Sequence, residues 1–172
     1  MRASRCSSSG EMEVNELGNG TMKLPLKFLP ERPEKPRQHG LTMVMDKGLS
    51  IRQTEDLLES CGNYIDLIKL GFGTSIFSSS VREKVKLIMS QGIDVYVGGT
   101  LFEAFYARGQ QKDFEKYIAG IGVNTIEVSD GSISLPHDTK CEIIRQYAKN
   151  YKVLSEVGSK EEGILISPSK WI

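Results

Sequence analysis

The stretch 64-YIDLIKLGFGTS-75 decides the fold of this chain. Residues 64–70 are mainly apolar and lack strict polar alternation, which is typical of a strand covered on both faces of a parallel sheet. Residues 71–75 form a glycine-rich loop, and residues 80–91 place Val81 and Ile88 on one side of a helix. The stretch therefore predicts a β-strand, a loop and an α-helix in succession.

The same rhythm extends in both directions from this stretch. Further strands are predicted at residues 41–45, 93–97, 124–128 and 152–157, and further helices at 50–61, 101–118 and 136–150. Ser50 is the expected N-cap of the first helix, and a break is expected near Gly109. About five β/α units predict a parallel sheet with right-handed helical crossovers. Periodicity alone leaves open a doubly wound sheet and a (β/α)₈ barrel.

The N-terminal residues differ in composition from this α/β region. Residues 1–24 are poor in apolar side chains and predict a disordered tail. Residues 25–40 contain Pro30, Pro33 and Pro36, which favour an extended arm leading into the domain of residues 41–172. The Arg and Ser of the first ten residues are weak support for organellar targeting, because acidic residues follow directly.

Composition excludes several classes of partner. Lys+Arg and Asp+Glu both number 22, so there is no overall basic field for nucleic acid or anionic membrane. No apolar run has the length of a transmembrane helix. Cys6, Cys61 and Cys141 are far apart and lack metal-ligand spacing, which favours a reduced, cytoplasmic compartment.

Charged, hydroxyl and glycine residues follow each predicted strand. The carboxyl ends of parallel strands meet at one rim, where α/β proteins place their sites. The five segments at this rim are DKG (46–48), KLGFGTS (69–75), GGTLFE (98–103), EVSDGS (127–132) and SEVGSK (155–160). Their concentration at one rim is the main physical indication of a functional site.

Each type of rim residue allows a functional and a structural interpretation. Lys69 either extends its charge to solvent or faces an anion, and Lys160 is either a solvated charge or a catalytic acid. The two glycine turns offer backbone N–H groups that favour anions. Carboxylates at neighbouring strand ends suit Mg²⁺, although each could instead cap a helix or pair with a lysine. These carboxylates are Glu127, Asp130 and Glu156.

Other catalytic chemistries find little support. The chain has no G-x-G-x-x-G after its first strand and no P-loop sequence, which disfavours nicotinamide and P-loop nucleotide binding. Neither His39 nor His137 follows a predicted strand, so acid–base catalysis or metal binding by histidine is not expected.

The rim segments together resemble one known family. In order and spacing, the blocks MDKG, NYIDLIKLGFGTS, VGGTLFE, IEVSDGS and VLSEVGSK resemble the phosphosulfolactate synthases, from about residue 37 to the end of the chain. The resemblance implies a (β/α)₈ TIM-type barrel, of which residues 41–172 would form a part. It also implies the Mg²⁺-dependent addition of sulfite to phosphoenolpyruvate.

The resemblance gives the rim residues their expected roles. Lys69 and Lys160 would act on the anionic substrate or deliver a proton, and Glu127, Asp130 and Glu156 would lie near the metal. The residues expected to bind substrate are Asp46, Lys47, Gly71, Gly73, Thr74, Ser75, Gly98, Gly99, Thr100 and Ser129.

The length of the chain leaves alternatives open. A complete barrel takes about 250 residues, so we expect a fragment, or a homo-oligomer in which two chains complete one barrel. A plant heat-stress-associated protein also resembles this family, and a half-barrel could serve as an interaction module without catalysis. The intact rim segments favour the enzyme.

Deleting residues 1–24 should leave the melting temperature nearly unchanged, because this tail offers too little apolar surface to offset the entropy of ordering it. Circular dichroism of the two proteins on heating measures the difference. A fall of more than a few degrees would mean that the tail packs on the domain.

Overall fold

The computed structural model describes residues 27–28 and 32–157. Internal contacts divide the chain into residues 1–32 and residues 33–172, and the fold below belongs to the second unit. The predicted tail and Lys160 lie outside the described residues, as do several residues of the predicted arm. The domain boundaries predicted after residues 24 and 40 stay predictions.

In the described part of the chain, five strands form one parallel sheet. They are β1 (Met43–Asp46), β2 (Leu67–Leu70), β3 (Asp94–Val97), β4 (Thr125–Val128) and β5 (Lys152–Ser155). Their order in the sheet is β1-β2-β3-β4-β5, and every neighbouring pair is parallel. A doubly wound sheet reverses its strand order at a switch point, whereas this order follows the chain. The predicted adjacent parallel strands are thus confirmed, and the order is that of a (β/α) barrel whose first five strands are described.

Within residues 32–157, six α-helices accompany the sheet. They are α1 (Ile51–Cys61), α2 (Thr74–Phe77), α3 (Val81–Ser90), α4 (Gly99–Tyr106), α5 (Gln111–Ile121) and α6 (His137–Tyr147), with 3₁₀ turns at Gly62–Tyr64 and Gly71–Gly73. Ser50 caps α1 as predicted, in a capping box with Gln53. The expected break near Gly109 is confirmed, because this glycine has a left-handed backbone between α4 and α5.

Several element bounds differ from the sequence prediction by a few residues, and two differences fall on either side of β2. The GFGTS loop is a 3₁₀ turn that runs directly into the short helix α2, so it contains more helical backbone than expected. The predicted strand at 64–70 begins only at Leu67, because the 3₁₀ turn Gly62–Tyr64 precedes it. Apolar composition marks burial but does not mark where strand pairing starts.

The core lies between the sheet and the helices that cover it. Val95, Val97 and Ile126 of the central strands are fully buried. Among the helices, the aromatic rings of Phe102, Phe114 and Tyr147 pack edge to face, with ring centroids 5.7 to 6.5 Å apart. This packing holds α4, α5 and α6 together.

The segment that precedes β1 is held against the amino-terminal side of the sheet. Arg37 Nη1 lies 2.8 Å from the Asp66 carboxylate, and Arg37 Nη2 donates to the carbonyl of Asn63. Lys35 Nζ donates to the carbonyl of Gly62 at 2.8 Å. Asp66 also accepts the backbone N–H of Thr42. This ionic contact fixes the chain where it enters β1.

A buried ion pair joins α3 to the end of β1. Lys84 Nζ lies 2.7 Å from Asp46 Oδ2, and both residues are almost fully buried. The other Asp46 oxygen accepts the N–H groups of Gly48 and Leu49, each at 2.7 Å. Asp46 thus fixes both α3 and the loop between β1 and α1.

Removing one partner of this pair should be strongly destabilising. Lys84→Met should lower the free energy of unfolding by about 3–5 kcal/mol, because it leaves a buried carboxylate without a counter-charge. Adding Asp46→Asn should restore much of this loss, since the amide oxygen can still accept from the loop. Urea unfolding measures each variant.

Lys86→Met on the exposed face of the same helix is the matched control, and it should change stability by no more than about 0.5 kcal/mol. Equal losses for Lys84→Met and Lys86→Met would contradict the structural role of the pair.

Candidate active site

The Glu127 carboxylate lies at the centre of the described rim. One of its oxygens accepts from Lys69 Nζ at 2.9 Å, and the other lies 2.8 Å from the same ammonium. Glu127 Oε2 also accepts the backbone N–H of Gly99 at 2.7 Å. The carboxylate therefore joins the ends of β2 and β4 to the first residue of α4.

The two glycines at the start of α4, Gly98 and Gly99, allow the helix to approach the strand ends closely. A Cβ added at Gly99 would lie 2.3 Å from Ser129 Cβ, and one at Gly98 would lie 3.0 Å from Lys69 Cε. Their N–H groups are already engaged, by Leu70 O for Gly98 and by Glu127 for Gly99. These two donors hold the rim together, so the predicted anion binding at residues 98–100 would depend on other groups of the turn.

The predicted substrate ligands Asp46 and Lys47 have different environments. Both oxygens of Asp46 are occupied by protein donors, so its observed role is to hold the loop that carries Lys47. Lys47 is exposed, and its Nζ lies 6.0 Å from the ring centroid of Phe72. Of these two residues, only Lys47 presents its charge to solvent.

The glycine loop after β2 opens onto a cavity of about 390 Å³. Within the loop, Phe72 and Gly73 have left-handed backbone, and the Thr74 hydroxyl donates to Gly71 O at 2.8 Å. The cavity lies between the β1–α1 and β2–α3 connections and is lined by Gly48, Ser50, Thr74, Ser75, Ser79 and Lys84, among others. Anion binding at Gly71, Gly73, Thr74 and Ser75 stays a prediction.

The three carboxylates predicted for the metal are not assembled as one group. Asp130 Oδ1 lies 2.7 Å from Lys140 Nζ, and Glu127 pairs with Lys69. Lys140 also donates to the backbone carbonyl of Glu156. Within residues 27–28 and 32–157, no three acidic, histidine or cysteine side chains come together in a metal-binding arrangement. Mg²⁺, which can be held by one or two carboxylates with waters and substrate, remains compatible with smaller groups.

Glu103 is a rim residue that the sequence prediction missed. It lies in α4, only 3% exposed, and accepts from the Ser129 hydroxyl and from the Gly131 N–H. The Ser129 hydroxyl also lies 2.9 Å from Glu156 Oε2. The only sequence signal was the place of Glu103 at the end of GGTLFE, where a helical glutamate is usually solvated.

Tyr96 is a second missed residue. Its pKa is raised to about 12, mainly by burial and further by the charges of Glu127 and Glu156. Lys69 Nζ lies 5.9 Å from the centroid of its ring. The phenol therefore stays neutral near pH 7 and keeps its proton beside Lys69.

A known family model covers the whole of the described rim. The family model of (2R)-phospho-3-sulfolactate synthase matches residues 30–172, which include every described rim residue. The chain belongs to the phosphosulfolactate synthase family. The predicted resemblance and the TIM-barrel class of the fold are thereby confirmed.

Several curated relatives match a large part of the chain. Phosphosulfolactate synthases of Methanocaldococcus jannaschii, Methanothermobacter thermautotrophicus and Bacillus subtilis are 42%, 36% and 33% identical over 72%, 77% and 77% of this chain. The match covers 50%, 52% and 53% of those proteins, so the chain spans about half the length of these relatives. The Arabidopsis thaliana protein HEAT-STRESS-ASSOCIATED 32 is 25% identical over 67% of the chain and 42% of its own length.

None of the helices in the described part of the chain is both long and apolar enough to cross a membrane.

Lys69 and Glu127 should be energetically coupled. A double-mutant cycle with Lys69→Met and Glu127→Gln should give a coupling free energy of about 1–3 kcal/mol, because the two side chains are in contact and mostly buried. The cycle is measured by urea unfolding of the four proteins.

The exposed pair of Lys116 and Asp113, 3.8 Å apart, is the control cycle. Its coupling should not exceed about 0.5 kcal/mol. A coupling for Lys69 and Glu127 as small as that of the control would show that the rim pair is a solvated contact.

Proposed function

We propose that this protein adds sulfite to phosphoenolpyruvate in a Mg²⁺-dependent reaction and forms phosphosulfolactate. The observation that carries the proposal is the family match over residues 30–172. The buried ion pair of Lys69 and Glu127 at the rim supplies a polar centre suited to an anionic substrate.

The proposed reaction makes one C–S bond and places one proton on carbon. The sulfur lone pair of sulfite attacks the methylene carbon of phosphoenolpyruvate, and the π electrons move to C2 beside the carboxylate. A proton is then added at C2, which gives phosphosulfolactate. The barrier comes mainly from the charge that develops on C2 and its carboxylate, so groups that stabilise this charge should contribute most.

Lys69 is the proposed group for this charge. Its ammonium lies in a site of low exposure, where an ionic interaction is stronger than in water. Glu127 fixes the position of the ammonium, and the centroid of the Tyr96 ring lies 5.9 Å from the ammonium nitrogen. Preorganised donors of this kind need little rearrangement during the reaction.

Two further groups complete the proposal. Lys160, beyond the described residues, is proposed as the acid that protonates C2, because of its residue type and its position after β5. Mg²⁺, when bound, would stabilise the negative charge that accumulates on the substrate carboxylate.

A role without this catalysis is the second candidate. It is favoured by the similarity to the Arabidopsis heat-stress-associated protein, at 25% identity. The synthase relatives are 33% to 42% identical, which favours the enzyme.

Mass spectrometry of reactions with phosphoenolpyruvate, sulfite and Mg²⁺ tests the function. Because the chain spans half of its relatives, the assay includes both the 172-residue chain and its fusion to the C-terminal half of the Methanocaldococcus jannaschii relative. Product should require both substrates and Mg²⁺. Lys69→Met should reduce the rate by about 10²–10³-fold, as expected for loss of one charge-stabilising group.

His137→Ala is the matched control, because His137 lies on the exposed start of α6 and contacts Cys141. It should leave the rate unchanged. If folded samples of both proteins form no phosphosulfolactate, the enzyme proposal is overturned and the role without catalysis replaces it.

A further inference from the structure

Phe72 has a backbone conformation that a phenylalanine does not favour. Its φ of 53° and ψ of 26° lie in the left-handed region, which a bulky side chain rarely adopts. The residue is 64% exposed, so burial of its ring in the core does not offset this strain. Glycine or asparagine would adopt the same backbone at a lower energy. Because such strain is concentrated at functional sites, it points to a role for the ring at the rim.

The register of the first two strands places Phe72 beside Lys47. The strands β1 and β2 are paired up to their last residues, Asp46 and Leu70, so the two loops leave the sheet side by side. Gly71 allows the loops to approach closely, because a Cβ there would lie 3.3 Å from the carbonyl oxygen of Asp46. Lys47 Nζ lies 6.0 Å from the centroid of the Phe72 ring. At this distance an ammonium is attracted to the face of an aromatic ring.

Lys47 carries a positive charge that no carboxylate of the described residues neutralises. Within residues 27–28 and 32–157 it forms no ion pair. The carboxylate of Asp46 holds the loop that carries it, through the N–H groups of Gly48 and Leu49. Three other lysines near the strand ends each pair with a carboxylate, namely Lys69, Lys84 and Lys140. An exposed lysine on a fixed loop without a counter-charge is available to an anion.

We propose that Lys47 binds the phosphate group of the substrate and that Phe72 is a positioning residue, which holds the ammonium beside its ring. A phosphate monoester carries a charge of about −1.5 to −2 at pH 7, so it gains most from a lysine without a counter-charge. Lys69, which Glu127 neutralises, then serves the charge that develops at C2. The inference rests on the proposed function and deepens it, because it assigns the phosphorylated end of the substrate to particular residues.

Phosphate binding can be measured apart from the reaction. Isothermal titration calorimetry of the 172-residue chain and of its fusion protein uses phosphoenolpyruvate, inorganic phosphate and pyruvate as separate ligands. Both phosphate compounds should bind more tightly than pyruvate, which lacks the phosphate. Lys47→Met should weaken the binding of both phosphate compounds by about tenfold or more, as expected for loss of a charged hydrogen-bond donor. It should leave the affinity for pyruvate unchanged. Lys86→Met, on the exposed face of α3, is the matched control and should bind all three ligands as the wild type does.

Two variants of Phe72 separate its positioning role from a structural one. Phe72→Tyr keeps an aromatic ring and should bind phosphoenolpyruvate as the wild type does. Phe72→Leu should weaken this binding by about two- to fivefold, because it removes the contact between the ammonium and the ring. In the fusion protein, Phe72→Leu and Lys47→Met should raise KM for phosphoenolpyruvate by a larger factor than they lower kcat.

The stability of a glycine variant should change in the opposite direction to its binding. Phe72→Gly relieves the left-handed strain. Phe77→Gly is the matched control, because Phe77 is 88% exposed in the neighbouring helix α2 and has no positive φ. Both variants replace an exposed phenylalanine by glycine, so Phe72→Gly should melt about 2–4 °C above Phe77→Gly. Phe72→Gly should nevertheless bind phosphoenolpyruvate more weakly than Phe77→Gly does.

Three outcomes would overturn the inference. The first is phosphate binding that Lys47→Met leaves unchanged, or that the wild type lacks in both proteins. The second is wild-type affinity for phosphoenolpyruvate in Phe72→Leu, and the third is a Phe72→Gly variant that melts no higher than Phe77→Gly. If product forms with an unchanged KM in these variants, the proposed function stands and only this assignment is wrong. If phosphate binds as expected but no phosphosulfolactate forms, the assignment stands and the proposed function is wrong.

Discussion

The hydrogen bonds of the Glu127 carboxylate determine how the rim is assembled. One side chain on β4 joins Lys69 of β2 to the backbone of Gly99 at the start of α4. These partners are far apart in sequence, and the parallel sheet brings them together at one rim. The arrangement also explains why a lysine is tolerated near the core, since its charge is neutralised where the strand ends.

Ion pairing around this centre divides the rim carboxylates into two classes. Asp46, Glu127 and Asp130 each have a lysine partner and act mainly on the protein itself, holding a loop, a strand end or a helix. Glu103 has none among the described residues, and its neighbour through Ser129 is Glu156. The position of a carboxylate at a strand end therefore predicts that it reaches the rim. The ion-pair and hydrogen-bond partners of that carboxylate then decide whether it is available to bind a ligand.

The sequence predicted those features of the fold for which a local residue pattern is compatible with a single structure. Parallel strands in chain order, the capping of α1 by Ser50 and the break at Gly109 follow from periodicity, family resemblance and local backbone preference. The ion pair of Lys84 and Asp46 could not be predicted, because it joins residues of different β/α units. Glu103 was missed for the same reason, since its burial depends on β4 packing over α4 and not on its own helix.

The absence of a side chain at Gly99 restricts which mutations the gene can accept at this position. Ser129 is completely buried, and its Cβ already fills the space that any side chain at position 99 would need. Every nucleotide change in a glycine codon that alters the amino acid introduces either a Cβ or a stop signal. Codon 99 can therefore drift only at its silent third base, and the two β/α units that meet there must keep their spacing.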